Sequence, residues 1–285
     1  MATVTDRTPL TPRKAFVLTG KHALLIAAAL VALFPVLLIV STALKTSDDV
    51  MLNPFGLFSS FSSENIDTAW NVGGFSQYVV NSILLSVPST LLVVVLSTAG
   101  GYAFARLPFP GRKIAFNLVV LGLLVPFFTY MIPLYFQLRS QGLLNSLVGV
   151  NLVLASTGLS FGTFFMKAFF TDLPAELEEA ARIDGASEWK IFSRVMLPLV
   201  GSSMGALAVF TFLQNWNNFL IPLLYMPNGS YRPLTTGLYL FLGGRSVDIG
   251  PLAAGALITI LPVMILFIAL QRQVMQGFLS GAVKG

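Results

Sequence analysis

Six apolar stretches, each about as long as a bilayer is thick, constrain this chain more than any motif in it. They run approximately over Ala23–Ala43, Tyr78–Ala105, Ile114–Phe136, Leu147–Met166, Leu199–Tyr225 and Pro251–Leu270. A helix needs about 20 apolar residues to cross the hydrocarbon core. Backbone polar groups there must be satisfied within the segment, so the spans are expected to be helices. Only 10% of the 285 residues are charged, against roughly 25% in soluble proteins. The expected fold is an all-α membrane protein with six transmembrane helices, multi-pass in the plasma (inner) membrane.

Thirteen of the seventeen Lys and Arg residues fall on one side of this six-span arrangement. That side holds Arg7, Arg13, Lys14 and Lys21, then Arg106, Arg112 and Lys113, then Lys167, Arg182, Lys190 and Arg194, and finally Arg272 and Lys284. Lys45, Arg139, Arg232 and Arg245 lie on the other. The positive-inside bias places both termini in the cytoplasm. The net charge of +5 flanks apolar spans rather than forming a nucleic-acid surface. The first run exceeds the roughly 7–15 residues of a signal-peptide core, so an uncleaved helix is expected.

The same inventory narrows the chemistry. There is no cysteine and one histidine, His22, which leaves no Ser–His or Cys–His pair and no metal cluster. No Gly-x-x-x-x-Gly-Lys-Ser/Thr loop occurs, so nucleotide binding by this chain is not expected. Catalytic residues and a metal site are therefore assigned to none.

Between the fourth and fifth spans lies a charged segment, residues 172–198. Asp172 and Pro174 suit a helix start, and Glu176, Glu178 and Glu179 favour the positive end of its dipole. Glu178 and Arg182 are spaced to pair. Gly185 suits a left-handed helix end, and Ser187 suits the cap of a second helix running to Pro198. A helix-turn-helix on the membrane face follows.

Glu179-Ala180-Ala181, then Asp184-Gly185, then Leu197-Pro198 resemble the cytoplasmic coupling loop of importer-type ABC transporter permeases. The resemblance extends over roughly residues 77–285 and narrows to the carbohydrate-uptake branch, the maltose-permease-like subunit. Asn81-Ser82, the run from Tyr102 to Arg106 with Phe109 to Arg112, Gln214 to Phe219, and the tail from Gly277 to Gly285 carry it. Asn218 departs from the pattern, since relatives often have an acidic residue there.

The resemblance implies a type I ABC importer permease fold and four parts: a cytoplasmic tail over 1–22, a first helix and external loop over 23–76, the transmembrane domain over 77–271, and a cytoplasmic tail over 272–285. It implies three partners, namely a second homologous permease, an ABC ATPase dimer and an extracytoplasmic solute-binding protein. No cofactor is expected on this chain, ATP and Mg belonging to the ATPase subunits. Glu179, Ala180, Ala181, Asp184, Gly185, Leu197 and Pro198 would serve the ATPase contact, and Gly281 and Lys284 in the tail would add to it.

Gln214, Asn215, Asn217 and Asn218 form the densest polarity within a span. Amides donate and accept, which suits a path for a sugar or oligosaccharide; interhelical hydrogen bonding explains them equally well. The external segment 45–77 reads as a partly ordered cap, either a plain connector or a surface for the binding protein. The competing function is a gradient-driven secondary transporter of a small neutral solute. Such transporters usually carry intramembrane charge, and these spans carry none.

Overall fold

The computed structural model describes residues 12–229, 231–242 and 248–282. The regular elements of those residues are all helices, with no strand among them. The elements are α1 (Pro12–Ala43), α2 (Ser47–Leu52), α3 (Glu64–Asp67), α4 (Phe75–Arg106), α5 (Arg112–Leu121), α6 (Phe127–Ser140), α7 (Leu147–Asp172) and α8 (Glu176–Ile183). Then come α9 (Glu188–Leu199), α10 (Gly201–Trp216), α11 (Leu220–Tyr225), α12 (Leu234–Leu242) and α13 (Ile249–Ala282). The chain forms two compact units, one holding residues up to Ala69 with Asp248–Leu257 and the other holding the rest.

In the first unit, α1 exposes a long apolar surface whose stretch Gly20–Ala43 suits a bilayer. α1 begins at Pro12, within the segment 1–22 that the sequence expects as a tail. The end of α1 is closed by side chains from the following loop. Asn65 donates Nδ2–H to the carbonyls of Lys45 (2.7 Å) and Thr42 (3.4 Å), satisfying groups that a helix C-terminus leaves open. Lys45 is fully buried and donates Nζ–H to the Asn53 carbonyl at 2.7 Å. Asp49 accepts from the hydroxyls of Ser59 and Ser60, which hold its carboxyl below the ordinary carboxylate range. The segment expected to be a partly ordered cap is thus a hydrogen-bonded loop.

The second unit is built on α4 and α7. Small residues let their backbones approach closely, the usual basis of helix packing in lipid. A Cβ placed on Gly101 would lie 2.7 Å from Met166 Cβ and 2.8 Å from the Lys167 backbone nitrogen. Ser82, Ser86, Ser89, Thr90, Ser97 and Thr98 are all buried along α4. Polar links reinforce the contacts: Asn151 of α7 donates to the Leu84 carbonyl (3.0 Å), and Asn215 of α10 donates to Ser89 Oγ (2.9 Å) and Thr90 Oγ1 (3.3 Å). Asn81 donates to the Arg232 carbonyl and Ser82 accepts from the Leu234 N–H, tying α4 to the start of α12.

Two of the six expected spans are interrupted. The stretch Ile114–Phe136 divides into α5 and α6, separated by turns at Gly122, Leu123 and Leu124 and an extended Pro126. Pro126 disfavours helix at Val125 and offers no N–H to the Gly122 carbonyl, so the break falls where continuing α5 is least favourable. The stretch Leu199–Tyr225 is α10 and α11 with a break at 217–219, and α9 meets α10 at 73°. Four single helices therefore pass the length and hydropathy requirement for crossing a bilayer, and the bent α9–α10 pair makes up to five.

Candidate functional site

The segment 172–198 folds as a helix, a tight turn and a second helix. Asp172 ends α7 rather than starting α8, which begins at Glu176. Ser187 stands at the N-cap of α9 in extended conformation, but its hydroxyl makes no capping bond. α8 closes with Gly185 at φ +76°; Gly185 N–H bonds the Arg182 carbonyl and Ala186 N–H bonds the Ala181 carbonyl, both at 3.0 Å. This is the paired-bond termination that favours glycine in the left-handed position.

Charges divide α8 into two faces. Glu178 is only 4% exposed and faces inward, with Arg182 at 3.5 Å and Arg106, from the end of α4, at 3.6 Å. Arg182 also grips Glu188 at 2.8 Å, which raises the guanidinium's pKa above its ordinary value. Glu179, Ala180, Asp184 and Gly185 are exposed. Ala181 is half-buried against the cluster that holds Met166, Phe170, Ile191 and Met196. Leu197 is half-buried and Pro198 exposed near the end of α9. Gly281 lies in α13, and Lys284 lies outside the described residues.

Sequence reading gave no contact role to Ile183, Trp189 or Arg106, and gave Glu178 only its pairing with Arg182. Ile183 is 86% exposed and Trp189 72% exposed, so the turn presents large apolar side chains outward. Arg106 and Glu178 form its buried anchor. Their separation of 72 positions leaves no local signal, although the spacing of Tyr102 and Arg106 already places both on one face of α4.

A second site forms where the two broken spans meet. A cavity of about 460 Å³ is lined by Phe127 and Phe128 at the start of α6, Phe161 and Thr157 of α7, and Phe210, Thr211, Gln214 and Asn215 of α10, with Asn218 in the break. None of the described residues lining it is charged. Non-helical backbone at membrane depth is tolerated where it is buried in protein or borders a water-filled space.

The four amides expected to act together separate here. Gln214 is exposed and borders the cavity. Asn215 borders it too while its Nδ2 is engaged with α4. Asn218 offers Oδ1 to the Ile221 N–H at 3.0 Å, capping α11. An acidic residue accepts that bond equally well, so the amide is compatible with the capping role. Asn217 points elsewhere, donating to the Leu213 carbonyl at 2.9 Å.

The two sites lie on the membrane component of a solute importer. Residues 97–278 match the family described as binding-protein-dependent transport system inner membrane component, and the chain belongs to it. It is 34% identical to the diacetylchitobiose uptake system permease protein NgcG of Streptomyces coelicolor, over 89% of this chain and 84% of that one. It is 35% identical to the arabinooligosaccharides transport system permease protein AraQ of Halalkalibacterium halodurans, over 90% and 93%. The lactose transport system permease protein LacG of Rhizobium radiobacter is 28% identical over 93% and 95%. In fold it resembles a chain of a bacterial ABC transporter involved in import of the acidic polysaccharide alginate, with TM-score 0.80 and 22% identity over 93% of this chain and 99% of that one. Membership makes it a multi-pass membrane permease rather than an enzyme, and a gradient-driven transporter is not favoured.

Proposed function

We propose that this chain is one permease subunit of an ATP-driven importer that moves an uncharged sugar or short oligosaccharide. The observation carrying the substrate class is the cavity at the broken spans, bordered by phenyl rings and amides and by no charged side chain among its described lining. Amides pair with sugar hydroxyls in either sense, and aromatic faces cover the apolar C–H faces of sugar rings. Relatives named for diacetylchitobiose, arabinooligosaccharide and lactose transport support the same class.

The remaining parts follow from this reading. A second homologous permease completes the pathway, and an extracytoplasmic binding protein delivers the sugar. A related solved structure is described as a bacterial alginate ABC transporter in complex with an alginate pentasaccharide-bound periplasmic protein. The basic side, with both termini and the segment 172–198, faces the cytoplasm. There the exposed Glu179, Ala180, Ile183, Gly185 and Trp189 meet an ATPase dimer that binds ATP and Mg. Closure of that dimer draws α8 with it, and the cavity opens alternately to either side.

The experiment is uptake into proteoliposomes holding the importer purified with its partners. Neutral di- and trisaccharides and a uronate oligosaccharide are offered through the binding protein. ATP-dependent uptake of a neutral sugar is expected. Uptake restricted to the uronate would overturn the substrate class.

A further inference from the structure

We propose that Arg106 is a positioning residue that locks the turn at α8 onto the α4–α7 pair, so that the three move as one body. This rests on the reading of residues 172–198 as the ATPase contact. Arg106 is the last residue of α4, and its guanidinium reaches two other elements. It donates to the Phe170 carbonyl from Nε (2.9 Å) and Nη2 (2.6 Å), and from Nη2 to the Leu173 carbonyl, closing the end of α7. Its Nε also stands 3.6 Å from Glu178 Oε1 on α8. Arg182 pairs with both Glu188 and Glu178 inside the turn. Among the ion pairs of the described residues, the Arg106 pair is the one that crosses from the turn to a long helix.

The chain joins the turn to α7 through residues 173–175 alone, and to α10 along α9, through a π-helical turn at Ile191–Met196 and then round a 73° bend. A π turn departs from regular helix geometry and such turns are frequent at functional sites. A further route, through side chains, is short and stiff. It runs from Glu178 through Arg106 into a pair of helices so close that Gly101 has no room for a Cβ. One turn earlier on α4, Tyr102 packs its ring on Phe170 of α7 at 5.4 Å and on Phe192 of α9 at 4.9 Å. Motion of the turn therefore reaches α7 along the three-residue link and α4 through side chains, both by shorter routes than the bent one to α10.

The test uses the importer purified with its partners in lipid nanodiscs and proteoliposomes, carrying Arg106→Ala, Arg106→Lys or Glu178→Gln. The chain has no cysteine of its own, so Val95→Cys and Glu176→Cys place one spin label on α4 and one on α8. With Arg106 present, the distance between labels is expected to stay narrow and unchanged when ATP is added. With Arg106→Ala it is expected to broaden, and sugar moved per ATP hydrolysed should fall about tenfold. Arg106→Lys, which keeps the charge without the fork, should recover part of both. If Arg106→Ala fails to insert, Glu178→Gln supplies the same readouts with the carbonyl clamp intact. An unchanged distance together with unchanged sugar per ATP would overturn the bracing role. Gly185→Val separates the two readings: normal uptake in that variant sinks the ATPase contact itself, whereas lost uptake beside normal Arg106 and Glu178 variants sinks only the brace.

Discussion

Asn151 donates its side-chain amide to the carbonyl of Leu84 at 3.0 Å, on the turn of α4 where Pro88 has no N–H to offer. Proline at a helix interior leaves the carbonyl four residues earlier without its backbone partner. Pro88 is thus accommodated by a named side chain from another element. Thr235 likewise donates Oγ1–H to the Asn218 carbonyl at 3.0 Å, in the break that precedes α11.

Asn151→Leu should therefore destabilise the protein by about 1–2 kcal/mol, the cost of an unpaired polar group within the membrane. Restoring an N–H through Pro88→Ala in the same chain should shrink that loss. Thermal unfolding of single and double variants in detergent measures both; additive losses would show that Asn151 does not serve the proline site.

Gly101 and Gly100 are neighbours with opposite tolerance. A Cβ on Gly101 meets Met166 and the Lys167 backbone below 3.0 Å, whereas one on Gly100 meets Thr163 no closer than 3.5 Å. Gly101→Ala should cost about 1–3 kcal/mol by forcing α4 from α7, and Gly100→Ala should be near neutral. The yield of folded protein in membranes and its melting temperature distinguish the two.

Gly185 has open space around it, with nothing within 4 Å of an added Cβ. Gly185→Val is therefore expected to insert and fold, at a backbone cost of about 1–2 kcal/mol for the left-handed conformation. Its ATP-driven uptake should be lost, while Gly185→Asn, which tolerates that conformation, should retain part of it. Uptake and ATPase co-purification, measured side by side, report on this.

Gln214 borders the cavity and Asn217 does not. Gln214→Ala should weaken half-saturation for sugar about two- to tenfold, the worth of one neutral hydrogen bond, with ATP hydrolysis in the absence of sugar unchanged. Asn217→Ala should leave uptake as it was. Equal effects at both positions would place the sugar elsewhere.

Asp49 has a carboxyl pKa lowered from 3.8, first by its hydrogen bond from Ser59 and then by that from Ser60. A lowered folded-state value stabilises above the unfolded pKa and is lost as pH falls through the folded one. The loop's order should hold at pH 5 and loosen only below about pH 4. Hydrogen exchange over residues 47–62 follows this, and Asp49→Asn should remove the dependence.

The helical membrane fold was legible because span length and basic flanks are averages over many residues. Interruptions were not, because hydropathy is blind to backbone direction: Leu123, Leu124 and Val125 score as membrane residues whether or not they are helical. Gly185 was read correctly from its place after Ala181 and Arg182, since helix termination is a local event. Glu179 drew attention as part of a motif, yet the inward-facing carboxylate is its neighbour Glu178. That choice depends on Arg106, which folding brings from another helix. The amides at 214–218 were taken as a unit because they are adjacent, but α10 ends at Trp216, so adjacent residues leave the helix in different directions.

The bend between α9 and α10 has a mechanical consequence of its own. The arm from Gly201 to Trp216 holds 16 residues, about 24 Å at the helical rise. Pivoting this arm by about 10° at Val200 sweeps its far end through about 4 Å. The far end carries Gln214 and Asn215. A small tilt at the crank is thus magnified into a displacement comparable with the thickness of a sugar ring.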